Sequence, residues 1–408
     1  MKALVLAGGI PQSYLIEELK RRGIFSLLAD QNKNAPAVEL ADKFFMISAL
    51  DVDGIRQIAI EEKVDFVISV CADQMLLVAA RVCEELGLPC YIDYETARNV
   101  SNKEYMKRIF FENGIPTSKY CVCSDFSKNI IEGLEFPLVV KPVDTYSSRG
   151  VIKVNDLNEL KDAFNNAIKI SRTGTAIIEE FVKGDEVSVD IYVEDGVVNI
   201  LCIRALDKVP GTSGFVINRG RYPAKLADEV RTKIQNVAQL IAKSFKLRNT
   251  PMLIQLLIDG NSISVVEFSA RTGGGIKYRL IPKISGFDVV KAVLDLTLGN
   301  KPLFKAYQYD GYIIDEFLYC KPGILDHVSG LEELFQSGVI DHYEQYKIKG
   351  HKFGEISSSG DRLAYFSIDA KDLNELERLQ QLAGKTVKAI SNTGEDLIRH
   401  DIVNFIPY

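Results

Sequence analysis

The sequence predicts an α/β protein in three parts. Residues 1–100 read as a parallel, Rossmann-like domain, the pattern changes near residue 100 to short strands and hairpins with a long helix, and the last hundred residues hold more strands and a helix. Three observations carry this. Apolar strand-like runs alternate with helical patterns through the first hundred residues. Short strands with hairpin turns dominate from about 120 to 205. A mixed stretch of strands with one helical pattern closes the chain.

"KALVLA" is a continuous apolar run, as expected of a strand buried on both faces. "QSYLIEELKRRG" follows as a helix, with Leu15, Ile16 and Leu19 on one face and Gly23 as its stop. "IFSLLAD", "DKFFMIS" and "DFVISVC" supply three more strands, with a helix at 52–62 between the last two. "QMLLVAARVCEELG" is helical and "LPCYI" reads as a short fifth strand. "SNKEYMKRIFFENG" reads as one helix capped by Ser101 and ended at Gly114. "FPLVVK", "GVIKV", "TAIIEEFV" and the hairpin "EVSVDIYVEDGVVNILCIRA" follow, the last turning at "EDG". A long helix is expected at 225–245, then the hairpin "MLIQLLID"–"SISVVEF". A helix at 371–384 and the strand "KTVKAIS" come near the end.

The 408 residues are 47% hydrophobic, enough for two or three cores, and carry a formal charge of −6 with acids and bases interspersed. That balance offers no electrostatic footprint for nucleic acid and no basic patch for a membrane. Apolar runs such as "MLLVAARV" fall far short of the ~20 residues that span a bilayer. The "MKALVLAGG" start reads as a strand, not a signal peptide. The seven cysteines are odd in number and mostly apolar in context, and Cys121 and Cys123 have the wrong spacing for a CxxC pair. Reduced core thiols and a cytoplasmic address are therefore expected. All four histidines lie from His327 onward. A site upstream must work with Lys, Arg, Asp, Glu and backbone groups, which favours a hard cation such as Mg²⁺ over zinc. The first turn, "AGGIPQS", lacks GxGxxG, which argues against a dinucleotide site.

Three stretches carry candidate chemistry. In "FPLVVKPVDTYSSRGV", Lys141 ends a strand and Ser147, Ser148, Arg149 and Gly150 follow. This is the composition of a phosphate-covering loop, and equally of a hairpin loop beside a snorkelling lysine. In "AIIEEFVKGDEVSVD", Glu179 and Glu186 suit an adenine and ribose clamp, or one solvent-facing strand edge. In the final hairpin, Gln255 and Glu267 stand where cross-strand neighbours can share a cation. Arg271 follows, suited to neutralising a transferring phosphoryl group. Gly273, Gly274 and Gly275 expose backbone N–H groups without a Cβ; the alternative is a charged strand end with a loose loop.

These motifs, with "NAPAVELADKFF" before them and "SNKEYMK" opening the second unit, resemble in order the ATP-grasp superfamily, in its carboxylate–amine ligase branch. The resemblance spans roughly residues 1–310, with 1–100 as the pre-ATP-grasp domain and 101–310 as the ATP-grasp domain of two α+β lobes with a mobile lid at about 120–190, and it implies that 311–408 is the small C-terminal α+β domain that many of these ligases carry. It implies that Lys103 and Lys141 contact ATP and that "TYSSRG" covers its phosphates. Glu179, with the backbone of Phe181 and Val182, would bind adenine, and Glu186 ribose. Gln255, Glu267 and Ser269 would hold Mg²⁺ or Mn²⁺, and Arg271 and Lys141 would act on the γ-phosphate. Relatives usually have Asn where this chain has Ser269, which leaves the second Mg²⁺ to be held through water. The implied reaction is amide formation through an acyl phosphate, in a homodimer acting on small carboxylates and amines. Asp73, Arg149, Arg204, Arg279 and the three glycines are candidate substrate contacts, and Lys208, Arg219, Arg221 and Lys277 are further basic candidates. A silent nucleotide-binding protein, a carboxylase or a phosphoribosylamine–glycine ligase would carry many of the same residues.

Overall fold

The computed structural model describes residues 1–145, 149–210, 215–305, 307 and 309–403. Its first sheet is parallel and four-stranded, in the order Lys43–Met46, Phe25–Asp30, Lys2–Leu6, Phe66–Ile68. The central strand has helices on both sides, which is why its apolar run is unbroken. Ala3 and Val5 face a core with Leu15, Ile16 and Leu19 of the helix Ile10–Arg21. Leu4 and Leu6 face the opposite core with Ile55, Val78 and Val82.

Two expectations for this region fail. "LPCYI" forms no strand. Pro89 has no N–H for a ladder, and the Tyr91 hydroxyl instead donates to the carbonyl of Ala270 at 3.2 Å, tying the segment to the central sheet. "SNKEYMKRIFFENG" does not start at Ser101, which ends a separate helix, Tyr94–Ser101. Asn102 is extended and caps Lys103–Glu112, its side chain accepting from the backbone N–H of Glu104 at 2.9 Å.

A second sheet is antiparallel, in the order Tyr120–Cys123, Ala176–Glu180, Leu138–Pro142, Ile152–Val154. It is covered by a helix, Leu157–Ile170, that the strand-rich reading of 120–205 missed. The signals were there: Asp156 accepts from the N–H groups of Asn158 and Glu159, and Leu160, Ala163, Phe164 and Ala167 repeat at helical spacing. They bury against Leu138, Val140, Val154 and Ile178.

The largest sheet has eight strands, ordered Ser262–Ser269, Thr250–Asp259, Asp185–Glu194, Val197–Lys208, Ile217–Tyr222, Tyr312–Leu318, Ala364–Ala370, His342–Gln345. The "EDG" hairpin turns at Asp195 (φ 50°) and Gly196 (φ 86°), both left-handed as a type I′ turn requires. The helix Asp228–Ser244 packs on one face, with Ile234 and Ala238 against Val189 and Ile191. Ile281 and Val289, from the helices Lys277–Ser285 and Val289–Thr297, pack on the other against Tyr192 and Leu201. Backbone pairing of Gly220 with Asp315 carries this sheet across residue 310. A three-stranded sheet (Lys352–Phe353, Gly323–Ser329, Lys388–Ser391) and the helix Leu373–Thr386 complete the C-terminal part. Among the described residues, no helix is long and apolar enough to cross a membrane.

Candidate functional site

A cleft of about 480 Å³ separates the four-stranded antiparallel sheet from the edge of the eight-stranded one. Lys103, Lys141, Glu179, Glu186, Gln255 and Glu267 all line it. Gln255 and Glu267 are direct register partners. The tight turn between Asp259 and Ser262 sets that register, and a bulge follows Gln255. Gln255 donates through Nε2 to Glu186 Oε1 at 2.8 Å, on the neighbouring strand. That bond turns the amide nitrogen to Glu186 and leaves the amide oxygen for a cation. Glu186 also pairs with Lys208 at 3.0 Å.

Lys103 opens the helix Lys103–Glu112; its ammonium donates to the Thr145 carbonyl at 2.6 Å and lies 3.8 Å from Glu267. Lys141 pairs with Glu179 at 2.7 Å. Glu179 also accepts from Ser118 at 2.8 Å and meets Lys107 at 3.2 Å. Burial pushes the Glu179 carboxyl up, but the two lysines and their hydrogen bonds outweigh it and hold the pKa at about 2. The carboxylate expected to meet adenine is thus engaged with Lys141 and Lys107. Phe181 and Val182, just beyond it, line the cleft, and Lys153 lies 3.9 Å from the Phe181 ring centroid. Gly150 is left-handed at φ 77°, and the carbonyl of exposed Arg149 accepts from Thr145 at 3.0 Å. Ser147 and Ser148 lie outside the described residues.

A smaller cavity of about 70 Å³ continues toward the parallel sheet, lined by Asp73, Gln74, Lys103, Glu267, Ser269 and Arg271. Arg271 grips both carboxylate oxygens of Asp73, through Nε at 2.8 Å and through Nη2. The Ser269 hydroxyl donates to the same carboxylate. Burial pushes the Asp73 carboxyl up, while Arg271 and Ser269 outweigh it and keep it below its ordinary range. Asp73 does not cap its helix, whose cap position is Ala72. Gly273 is buried, and a Cβ there would stand 2.9 Å from Lys277 Cγ; Gly275 turns the chain at φ 64° into the helix Lys277–Ser285. Gly274 is exposed beside the Cys71 carbonyl, where a Cβ would stand at 3.4 Å.

Most of the other basic candidates lie outside the cleft walls. Arg204 is buried in an ion pair with Asp315, Arg219 in one with Glu316, and Lys277 in one with Asp190. Arg221 pairs with Asp207 at 2.8 Å. Arg279 meets His342 at a separate cavity of about 230 Å³. Lys107 was missed, although it stands four residues after Lys103 on the same helix face. Among the described residues, no cluster of three or more His, Cys, Asp or Glu side chains could hold a metal. Gln255 and Glu267 offer oxygen donors only, the set a hard cation prefers when phosphate and water complete its shell.

Comparison with known proteins matches these features. A family model described as an ATP-grasp domain fits residues 134–279. A formate-dependent phosphoribosylglycinamide formyltransferase of Mannheimia succiniciproducens is 25% identical over 288 residues, 66% of this chain and 69% of that protein. The L-amino acid ligase of Bacillus licheniformis superposes with a TM-score of 0.80 at 22% identity, over 96% of this chain and 98% of that one. The biotin carboxylase domain dimer of a 2-oxoglutarate carboxylase from Hydrogenobacter thermophilus, solved with MgADP, superposes with a TM-score of 0.77 at 17% identity, over 98% and 92%. With a matching domain model over residues 134–279 and full-length agreement of fold, the chain carries an ATP-grasp domain, whose cleft gathers lysines beside a paired amide and carboxylate.

Proposed function

We propose that the protein is an ATP- and Mg²⁺-dependent ligase that joins a small carboxylate to an amine, releasing ADP and phosphate. The observation that carries this is the register pair Gln255–Glu267, opening into one cleft with Lys103 and Lys141. When bound there, Mg²⁺ would neutralise charge on the nucleotide phosphates, held by Gln255 and Glu267. Lys103 and Lys141 would orient the triphosphate and offset its charge, and Glu186 would accept from the ribose hydroxyls.

A carboxylate is a poor electrophile because its leaving group is oxide or hydroxide. A substrate carboxylate oxygen attacks the γ-phosphorus, the β–γ bridging P–O bond breaks, and ADP leaves with the electron pair. The amine nitrogen then attacks the acyl carbon. The C–O bond to phosphate breaks, phosphate departs, and the nitrogen gives up a proton. No protein nucleophile is required, which fits a cleft whose described lining residues include no histidine or cysteine. Water would hydrolyse the acyl phosphate, so the sheet over 120–180 serves this chemistry by closing over the nucleotide.

The cavity beside Arg271 is small, about 70 Å³, and this favours a small acid. Formate, named in the activity of the formyltransferase relative, is the first acid to test; amino acids, named for the Bacillus ligase, are the next. The experiment is phosphate release across a matrix of acids and amines, with mass spectrometry of the products. Release that requires both partners and yields an amide is expected. Turnover with either partner alone would remove the ligase reading. A silent nucleotide-binding protein is the second reading, because Asp73 already engages both Ser269 and Arg271. Its signature is nucleotide binding with no ADP formed anywhere in the matrix.

A further inference from the structure

Lys107 sits on the same helix as Lys103, but its side chain is 1% exposed against 14% for Lys103. Its ammonium meets Glu179 at 3.2 Å and donates to the hydroxyls of Thr117 and Ser118. Ser118 passes a hydrogen bond to Glu179 at 2.8 Å. Thr117 donates to the Val265 carbonyl at 2.7 Å, on the strand that carries Glu267. Glu179 holds Lys141 through its other oxygen at 2.7 Å. Two ammonium groups therefore share one carboxylate, and all three side chains are almost fully enclosed.

The charge count has a consequence. A carboxylate at contact distance cancels the charge of a lysine that is to bind phosphate. A second buried cation on that carboxylate restores the surplus. We propose that Lys107 is a positioning residue for the nucleotide: by sharing Glu179 with Lys141, it fixes the Lys141 ammonium at the cleft wall and leaves the cluster one net positive charge for phosphate. The hydroxyls of Thr117 and Ser118, which lie between the helix Lys103–Glu112 and the strand Tyr120–Cys123, make the same node a tie between the lid sheet and the strand of Glu267.

This rests on the cleft being the nucleotide site, not on the ligase reaction, so the test is binding alone. The probe is adenylyl imidodiphosphate with Mg²⁺, titrated calorimetrically into the full chain, with melting curves to confirm folding. Lys107→Met is expected to weaken binding about tenfold, the order of effect of losing one charge several ångströms from phosphate. Lys107→Arg is expected to keep most of the affinity. Lys107→Met with Glu179→Gln is expected to recover part of it, because both buried charges leave together and Lys141 regains its own charge without its anchor; this pair also needs no ion pair to fold.

Binding in the unaltered chain should also weaken as pH rises through about 8. Burial, the largest influence, pushes the Lys107 ammonium down to about 8. Glu179 and Glu267 oppose that shift and Lys141 adds to it. Lys107 is thus charged below that pH and neutral above it. Lys107→Arg should abolish this fall. Unchanged affinity in a folded Lys107→Met chain, or no recovery in the double variant, would overturn the proposal. An unaltered chain that binds no probe would overturn the cleft assignment and this inference with it.

Discussion

Glu267→Ala is expected to cut turnover in the proposed ligation by at least about a hundredfold, the scale seen when one charge-stabilising group is removed from a reacting phosphoryl or acyl centre. The same change should leave the melting temperature nearly unmoved. The Glu267 side chain is 40% exposed, and its nearest cation, Lys103, is 3.8 Å away. Such a contact contributes little to stability. Turnover and folding are therefore expected to separate cleanly at this position. Glu267→Gln, which keeps an oxygen donor but loses the charge, should fall between, with activity restored in part by raised Mg²⁺. Steady-state phosphate release at several Mg²⁺ concentrations measures both. Wild-type turnover in the alanine variant would refute the metal assignment at Gln255 and Glu267.

Gly220→Ala is expected to be among the most destabilising single changes in the chain. Gly220 lies on the strand Ile217–Tyr222, opposite Leu206 on one side and Asp315 on the other. The guanidinium of Arg204 crosses its bare Cα, and a Cβ there would stand 1.9 Å from Nη2. Arg204 and Asp315 are 3% and 1% exposed. Pushing the guanidinium aside strands a carboxylate in the interior, where burial already drives the Asp315 carboxyl above its ordinary range against the pull of Arg204. Breaking a buried pair in this way costs about 3–5 kcal/mol. Urea unfolding should show that loss as a lower midpoint with unchanged slope. Replacing both Arg204 and Asp315 with apolar residues of similar volume should cost far less. A Gly220→Ala chain unfolding at the wild-type midpoint would mean that the guanidinium does not lie across this strand.

How much of this was legible in the sequence differs between the fold and the site. The parallel sheet was, because burial on both faces writes itself as an unbroken apolar run in Lys2–Leu6. The "EDG" hairpin and the turn between Asp259 and Ser262 were, because left-handed backbone at Asp195, Gly196 and Gly260 selects particular residues there. The helix Leu157–Ile170 was legible too, in its Asp156 cap and its apolar spacing, but its strand-rich surroundings masked it.

The amino-acid order by itself determined the local elements, the placement of Gln255 opposite Glu267, and the oxygen-rich, histidine-free character of the cleft. Those features depend on spacing along one strand, one turn or one helix face. Only the tertiary structure decided which charges meet. It gave Asp73 to Arg271 and Ser269, Glu179 to Lys141 and Lys107, and Arg204 to Asp315. The physical reason is that a buried charge must find its partner wherever strand order and helix docking bring one, and no pattern in the flanking residues records that choice.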